Sequence, residues 1–115
     1  MGERILHIAK RDDWAAARAA GSYVPDSLAT EGFIHCSTER QVVRVANAHM
    51  AGVSDLILLE IDPTGLPLRF EPGDPGSSEE FPHLYEALPV PAVVAVHEFP
   101  PAPDGTFSLP DSVTT

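Results

Sequence analysis

The stretch Asp-Leu-Ile-Leu-Leu-Glu-Ile-Asp, residues 55–62, constrains the fold more than any other part of the chain. Leu56 to Leu59 are apolar at successive positions, so an extended segment here is apolar on both faces. Such a strand belongs inside a sheet, with packed layers on either side. A doubly wound parallel sheet would need a helix between residues 61 and 90 to carry the chain back over the sheet. That interval instead holds Pro-Thr-Gly at 63–65 and Glu-Pro-Gly-Asp-Pro-Gly-Ser-Ser-Glu-Glu at 71–80, which is turn and loop chemistry. The expectation is a small, single α+β domain with two helices in the N-terminal half.

The remaining elements follow from local pattern. Residues 4–9 alternate and are rich in branched side chains, which predicts a first strand. Residues 10–21 predict a helix: alanine dominates, Asp12 and Asp13 suit its first turn, and Gly21 suits the position after its last. Residues 22–31 break any period, and Pro25 holds Val24 extended, so an irregular segment is expected. A short strand at 32–37 leads to a second helix. There Thr38 and Gln41 have capping-box spacing, and Val42, Val45, Ala46, His49 and Met50 form an inner face. Gly52 ends it. Residues 66–71 and 90–99 read as further strands, and 71–80 as a mobile loop. The domain is expected over residues 1–101. Residues 102–115 form a Pro-rich tail that docks through Phe107 and Leu109.

Composition narrows the function. No apolar run approaches the roughly 20 residues that span a bilayer, and the first residues lack a signal-peptide pattern, so a cytoplasmic protein without membrane contact is expected. One cysteine excludes an intrachain disulfide. Seventeen acidic residues against seven basic ones give a net charge of −10, which repels a phosphate backbone. Nucleic acid is therefore not an expected partner, and a small molecule is. Histidines at 7, 35, 49, 83 and 97 show no H-x-x-x-H spacing, so no metal site is expected.

Two stretches concentrate reactive side chains. In Glu-Gly-Phe-Ile-His-Cys-Ser-Thr (31–38), His35 ends a strand, and Ser37 and Thr38 sit where a helix start leaves N–H groups for an anion. The alternative is purely structural: the hydroxyls cap the helix and His35 bonds a carbonyl. Period two turns Cys36 to the opposite face, favouring a buried, inert thiol over a nucleophile. In Glu-Glu-Phe-Pro-His-Leu-Tyr (79–85), His83 and Tyr85 follow the acidic loop, either as the wall of a site under a hinged lid or as chain returning to the core. Trp14 reads as core. Tyr23 either packs on a planar ligand or covers the sheet, and Glu71 ends a strand as a solvated or a site carboxylate.

Trp14, Gly-Ser-Tyr-Val-Pro-Asp-Ser-Leu (21–28), residues 31–38, Gln41, Val-Ala-Asn (45–47), residues 55–62, Arg-Phe-Glu (69–71) and Phe-Pro-His-Leu-Tyr-Glu-Ala-Leu-Pro (81–89) together resemble the bacterial family named domain of unknown function 952. The likeness covers roughly residues 4–99. It departs at Glu86, where the family commonly has glycine. The resemblance implies a fold similar to the ADP-ribosyltransferases, with a split, bent sheet around a cleft for NAD. It also implies His35 on the nicotinamide ribose, Ser37 and Thr38 on ribose or phosphates, and Tyr23 or Tyr85 on the nicotinamide, with His83 in the far wall. Glu71 or Glu80 would assist transfer, and the residues leave that choice open. The activity implied is an ADP-ribosyl or related transferase with a nucleotide-like ligand. The alternatives are a non-catalytic small-molecule binding module and a protein-interaction domain using the 71–80 loop.

Overall fold

The computed structural model describes residues 4–73 and 78–113. In chain order these form β1 (Ile5–Lys10), α1 (Arg11–Ala20), β2 (Ser22–Tyr23), α2 (Asp26–Thr30), β3 (Ile34–His35) and α3 (Glu39–His49). The second half holds β4 (Leu56–Ile61), β5 (Leu68–Pro72), β6 (Glu80–Leu84), β7 (Leu88–Pro89) and β8 (Val93–Glu98). Among the described residues all pairing is antiparallel, in three sheets ordered β1-β4-β8, β2-β7 and β3-β6-β5. The chain is thus a small α+β domain.

Strand β4 is buried along its whole length, as its sequence requires. Its alternate residues serve two cores. Ile57, Leu59 and Ile61 join Ile5, Trp14, Tyr23, Ile34, Cys36, Leu84 and Leu88 on one side. Leu56 and Leu58 join Leu6, Val42, Ala46, Phe99, Phe107 and Val113 on the other. Helix α3 and the C-terminal stretch therefore supply the second layer. Phe107 stacks on Phe99 at 4.8 Å, and its N–H donates to Asn47 Oδ1 at 2.7 Å.

Among the described residues, three helices occupy the N-terminal half, where two were expected. The additional one, α2, lies in the segment read as irregular. Pro25 sits at its N-cap with φ −72° and ψ 162°, so it precedes the first turn and costs no helical hydrogen bond. At five residues α2 is too short to show a helical period. The predicted capping box is present on α3, with the Thr38 N–H donating to Gln41 Oε1 at 3.0 Å. Of the acidic loop at 71–80 read as mobile, residues 74–77 lie outside the described residues.

The two three-stranded sheets meet where β3 leaves for α3. Leu6 and Ser37 exchange both backbone hydrogen bonds, each 2.8 Å long. This bridge holds the end of β3 against β1, and thereby fixes the β3-β6-β5 sheet relative to the central strand.

A histidine and aromatic face on the β3-β6-β5 sheet

Register alone brings the reactive residues together. His35 of β3 lies opposite His83 of β6, which in turn lies opposite Arg69 of β5. Phe81 lies opposite Glu71. Because side chains alternate along a strand, Phe33, His35, Arg69, Glu71, Phe81, His83 and Tyr85 share one face. Ile34, Cys36 and Leu84 take the other face and enter the core. Gly32, with φ +88°, makes the turn from α2 into this strand, a conformation that L side chains rarely adopt.

The rings touch one another. Phe33 stacks on His83 at 4.0 Å between centroids, 18° from parallel, and stands edge-on to His35 at 4.8 Å. Tyr85 lies 5.4 Å from Phe33, and the Arg69 guanidinium lies 5.2 Å over the Tyr85 ring. His35 and His83 are 5.7 Å apart. Exposure divides the pair: the His83 side chain is 5% exposed and that of His35 51%.

Each histidine has its own carboxylate. His35 Nε2 donates to Glu31 Oε2 at 2.9 Å, and His83 Nδ1 donates to Glu71 Oε1 at 3.1 Å. The Tyr85 hydroxyl donates to that same Glu71 oxygen. The two donors, the phenol first and the imidazole second, hold the Glu71 carboxyl below the usual carboxylate range. The same bond raises the Tyr85 phenol above its ordinary value. Glu71 is accordingly a fixed, ionised acceptor at neutral pH, suited to stabilising positive charge and unsuited to donating a proton.

The family DUF952, described as protein of unknown function, matches residues 8–96. The chain belongs to the DUF952 family. Two crystal structures of protein CC0527 from Caulobacter crescentus, one of them a double mutant, are similar to it. Each has 34% identity and a TM-score of 0.80, covering 92% of this chain and 94% of that one. A solution NMR structure of CC0527 is similar at 33% identity and a TM-score of 0.80, covering 96% of both chains. A search of curated proteins finds no match.

Within this DUF952 chain the other predicted site residues are dispersed. Glu80 points to the face opposite His83 by register, and its carbonyl accepts from Gln41 Nε2 at 2.8 Å. Ser37 is buried at the bridge to β1, and Thr38 belongs to the capping box. Tyr23 is 5% exposed and packs in the core. Burial pushes the Cys36 thiol up to about 12, so it stays protonated and unreactive. Among the described residues, no group of three or more His, Cys, Asp or Glu is arranged to hold a metal.

A buried layer lies directly behind His35. The Tyr23 hydroxyl donates to His7 Nε2 at 2.8 Å, and His7 Nδ1 donates to the His35 carbonyl at 2.6 Å. A carbonyl only accepts, which assigns the proton to Nδ1. Burial lowers His7 to about 4, so it is neutral at physiological pH. Sequence reasoning did not single out His7. The available signal was a histidine at an inward position of an alternating first strand, between Leu6 and Ile8.

Proposed function

We propose that the β3-β6-β5 face of this DUF952 protein binds an NAD-like nucleotide and cleaves its ribosyl N-glycosidic bond, in the manner of an ADP-ribosyl or related ribosyl transferase. One observation carries the reading: Glu71, held ionised by Tyr85 and His83, shares a face with the half-exposed His35 and the Phe33 and Tyr85 rings. Departure of nicotinamide leaves positive charge on the ribose carbon, and a fixed carboxylate stabilises that charge. The aromatic rings offer a planar base a stacking surface. His35, oriented by Glu31, is placed to bond a ribose hydroxyl or to accept the proton of an incoming acceptor. The ADP-ribosyltransferase-like fold that the DUF952 resemblance implies is consistent with this reading.

The test is nicotinamide release from NAD by the purified protein. Glu71→Gln is expected to slow release by about 100-fold, the usual scale for one electrostatic partner of a developing charge. His35→Ala is expected to act through both kcat and KM. No release from NAD or nicotinamide riboside, with no thermal stabilisation by either, sinks the reading.

A second reading, a binding module without turnover, is favoured by one feature. Phe33 covers His83, which leaves that imidazole with little access to a reacting atom. Stabilisation by ligand without product distinguishes it.

A further inference from the structure

Taking this face as a ribosyl site, we propose that its preferred ligand is a cationic N-riboside lacking a pyrophosphate, a compound of the nicotinamide riboside class. Charge decides this. Glu31 and Glu71 each hold a histidine of the face, and among the residues that register places on it Arg69 is the one Lys or Arg. The Arg69 guanidinium lies over the Tyr85 ring, a planar cation on an aromatic face, the contact a pyridinium ring would make in its place. The surrounding chain carries a net charge of −10. A monocationic pyridinium riboside is attracted by this field, whereas a pyrophosphate is repelled by it.

The helix start that follows β3 is also occupied by the chain itself. Helix α3 starts at Glu39, four positions after His35 in the chain, and helix N-termini are natural phosphate sites. Here Glu39 stands in the first turn, and Gln41 folds back onto the Thr38 N–H. The Gln41 amide also donates to Glu79 Oε2 at 3.2 Å, and Arg44 pairs with the same carboxylate. The Thr38 N–H is therefore already bonded to the Gln41 amide, and the Glu79 carboxylate lies beside that amide.

With water as acceptor the step balances. Water adds to the ribose C1′ as the C1′–N bond breaks. The electron pair of that bond goes to the pyridinium nitrogen, releasing neutral nicotinamide. The proton lost by the water passes to His35 or to solvent.

The experiment compares nicotinamide riboside, its 5′-monophosphate and NAD at one ionic strength, reading nicotinamide release and thermal shift. Release, and stabilisation with it, should fall in that order, with kcat/KM differing at least about tenfold between the first and the last. Glu31→Gln should narrow the gap, and Arg69→Ala should widen it. The same order in thermal shift without release keeps this proposal and removes the turnover reading. Release from NAD equal to or better than from the riboside overturns this proposal alone. Neither release nor stabilisation with any of the three overturns both.

Discussion

Tyr85 and Glu71 are joined across the β5–β6 pair by a hydrogen bond from the phenol to the carboxylate oxygen that His83 also approaches. The bond works in both directions: it lowers Glu71 and raises Tyr85. Tyr85→Phe should therefore let the Glu71 carboxyl titrate closer to the ordinary glutamate value, as read by carbon NMR of the side-chain carboxyl. Because Glu71 is lowered in the folded state, its contribution to stability is present above the ordinary carboxylate range and is lost as pH falls through the folded value. The stability difference between wild type and Glu71→Gln should shrink in that acid window. A Glu71 titration unchanged in Tyr85→Phe would show that the bond does not form.

His7 gives the fold a second acid sensitivity. Its folded value is lowered from 6.5 to about 4, so the unfolded chain binds the proton first. Stability is fully present above 6.5 and is lost as pH falls toward about 4. A shift of that size corresponds to a loss on the order of 3 kcal/mol. His7→Leu should remove this component of the pH dependence in urea melts. It should also cost about 2 kcal/mol at neutral pH, by stranding the Tyr23 hydroxyl and the His35 carbonyl. Parallel pH profiles for wild type and variant would contradict the assignment.

What could be read from the sequence was local. The two-sided strand at 55–62 and the Thr38–Gln41 box each depend on residues a few positions apart, and both are found. Alternation likewise separates His35 from Cys36, one exposed and the other buried. The choice between Glu71 and Glu80 was not legible, because it depends on how β5 and β6 register across a loop. That register puts Glu71 opposite Phe81 and on the same face as His83. The His7–Tyr23 bond spans 16 positions and the His97–Glu60 bond 37, so no local pattern announces either. Helix α2 was missed for a different reason, since a single turn has no period to detect.

Gly73, the residue after β5, lies beneath the Phe81 ring. A Cβ there would stand 2.8 Å from two atoms of the Phe81 ring, closer than packed side chains come. Gly73→Ala should therefore tilt Phe81 and cost about 1–2 kcal/mol, the usual penalty of overpacking. Phe81→Leu should relieve the contact, so the double variant should lose less than the sum of the single ones. Additive losses in thermal melts would mean that the two positions do not press on each other.

His97 joins the central strand to the C-terminal stretch. Its Nε2 donates to Glu60 at 2.8 Å, and its Nδ1 lies 2.7 Å from the Ser112 hydroxyl. Glu60 and His97 are both buried, and Arg4 reaches the other Glu60 oxygen at 3.6 Å from a more exposed position. His97→Leu leaves a buried carboxylate without its main donor, which should cost about 3–5 kcal/mol in urea denaturation. Ser112→Ala removes a single bond at the edge and should cost about 1 kcal/mol. Replacing Glu60 by Leu in the His97→Leu background should recover much of the loss, because two apolar side chains then fill the gap between β4 and β8. A His97→Leu protein within about 1 kcal/mol of wild type would mean that Glu60 is satisfied without the imidazole.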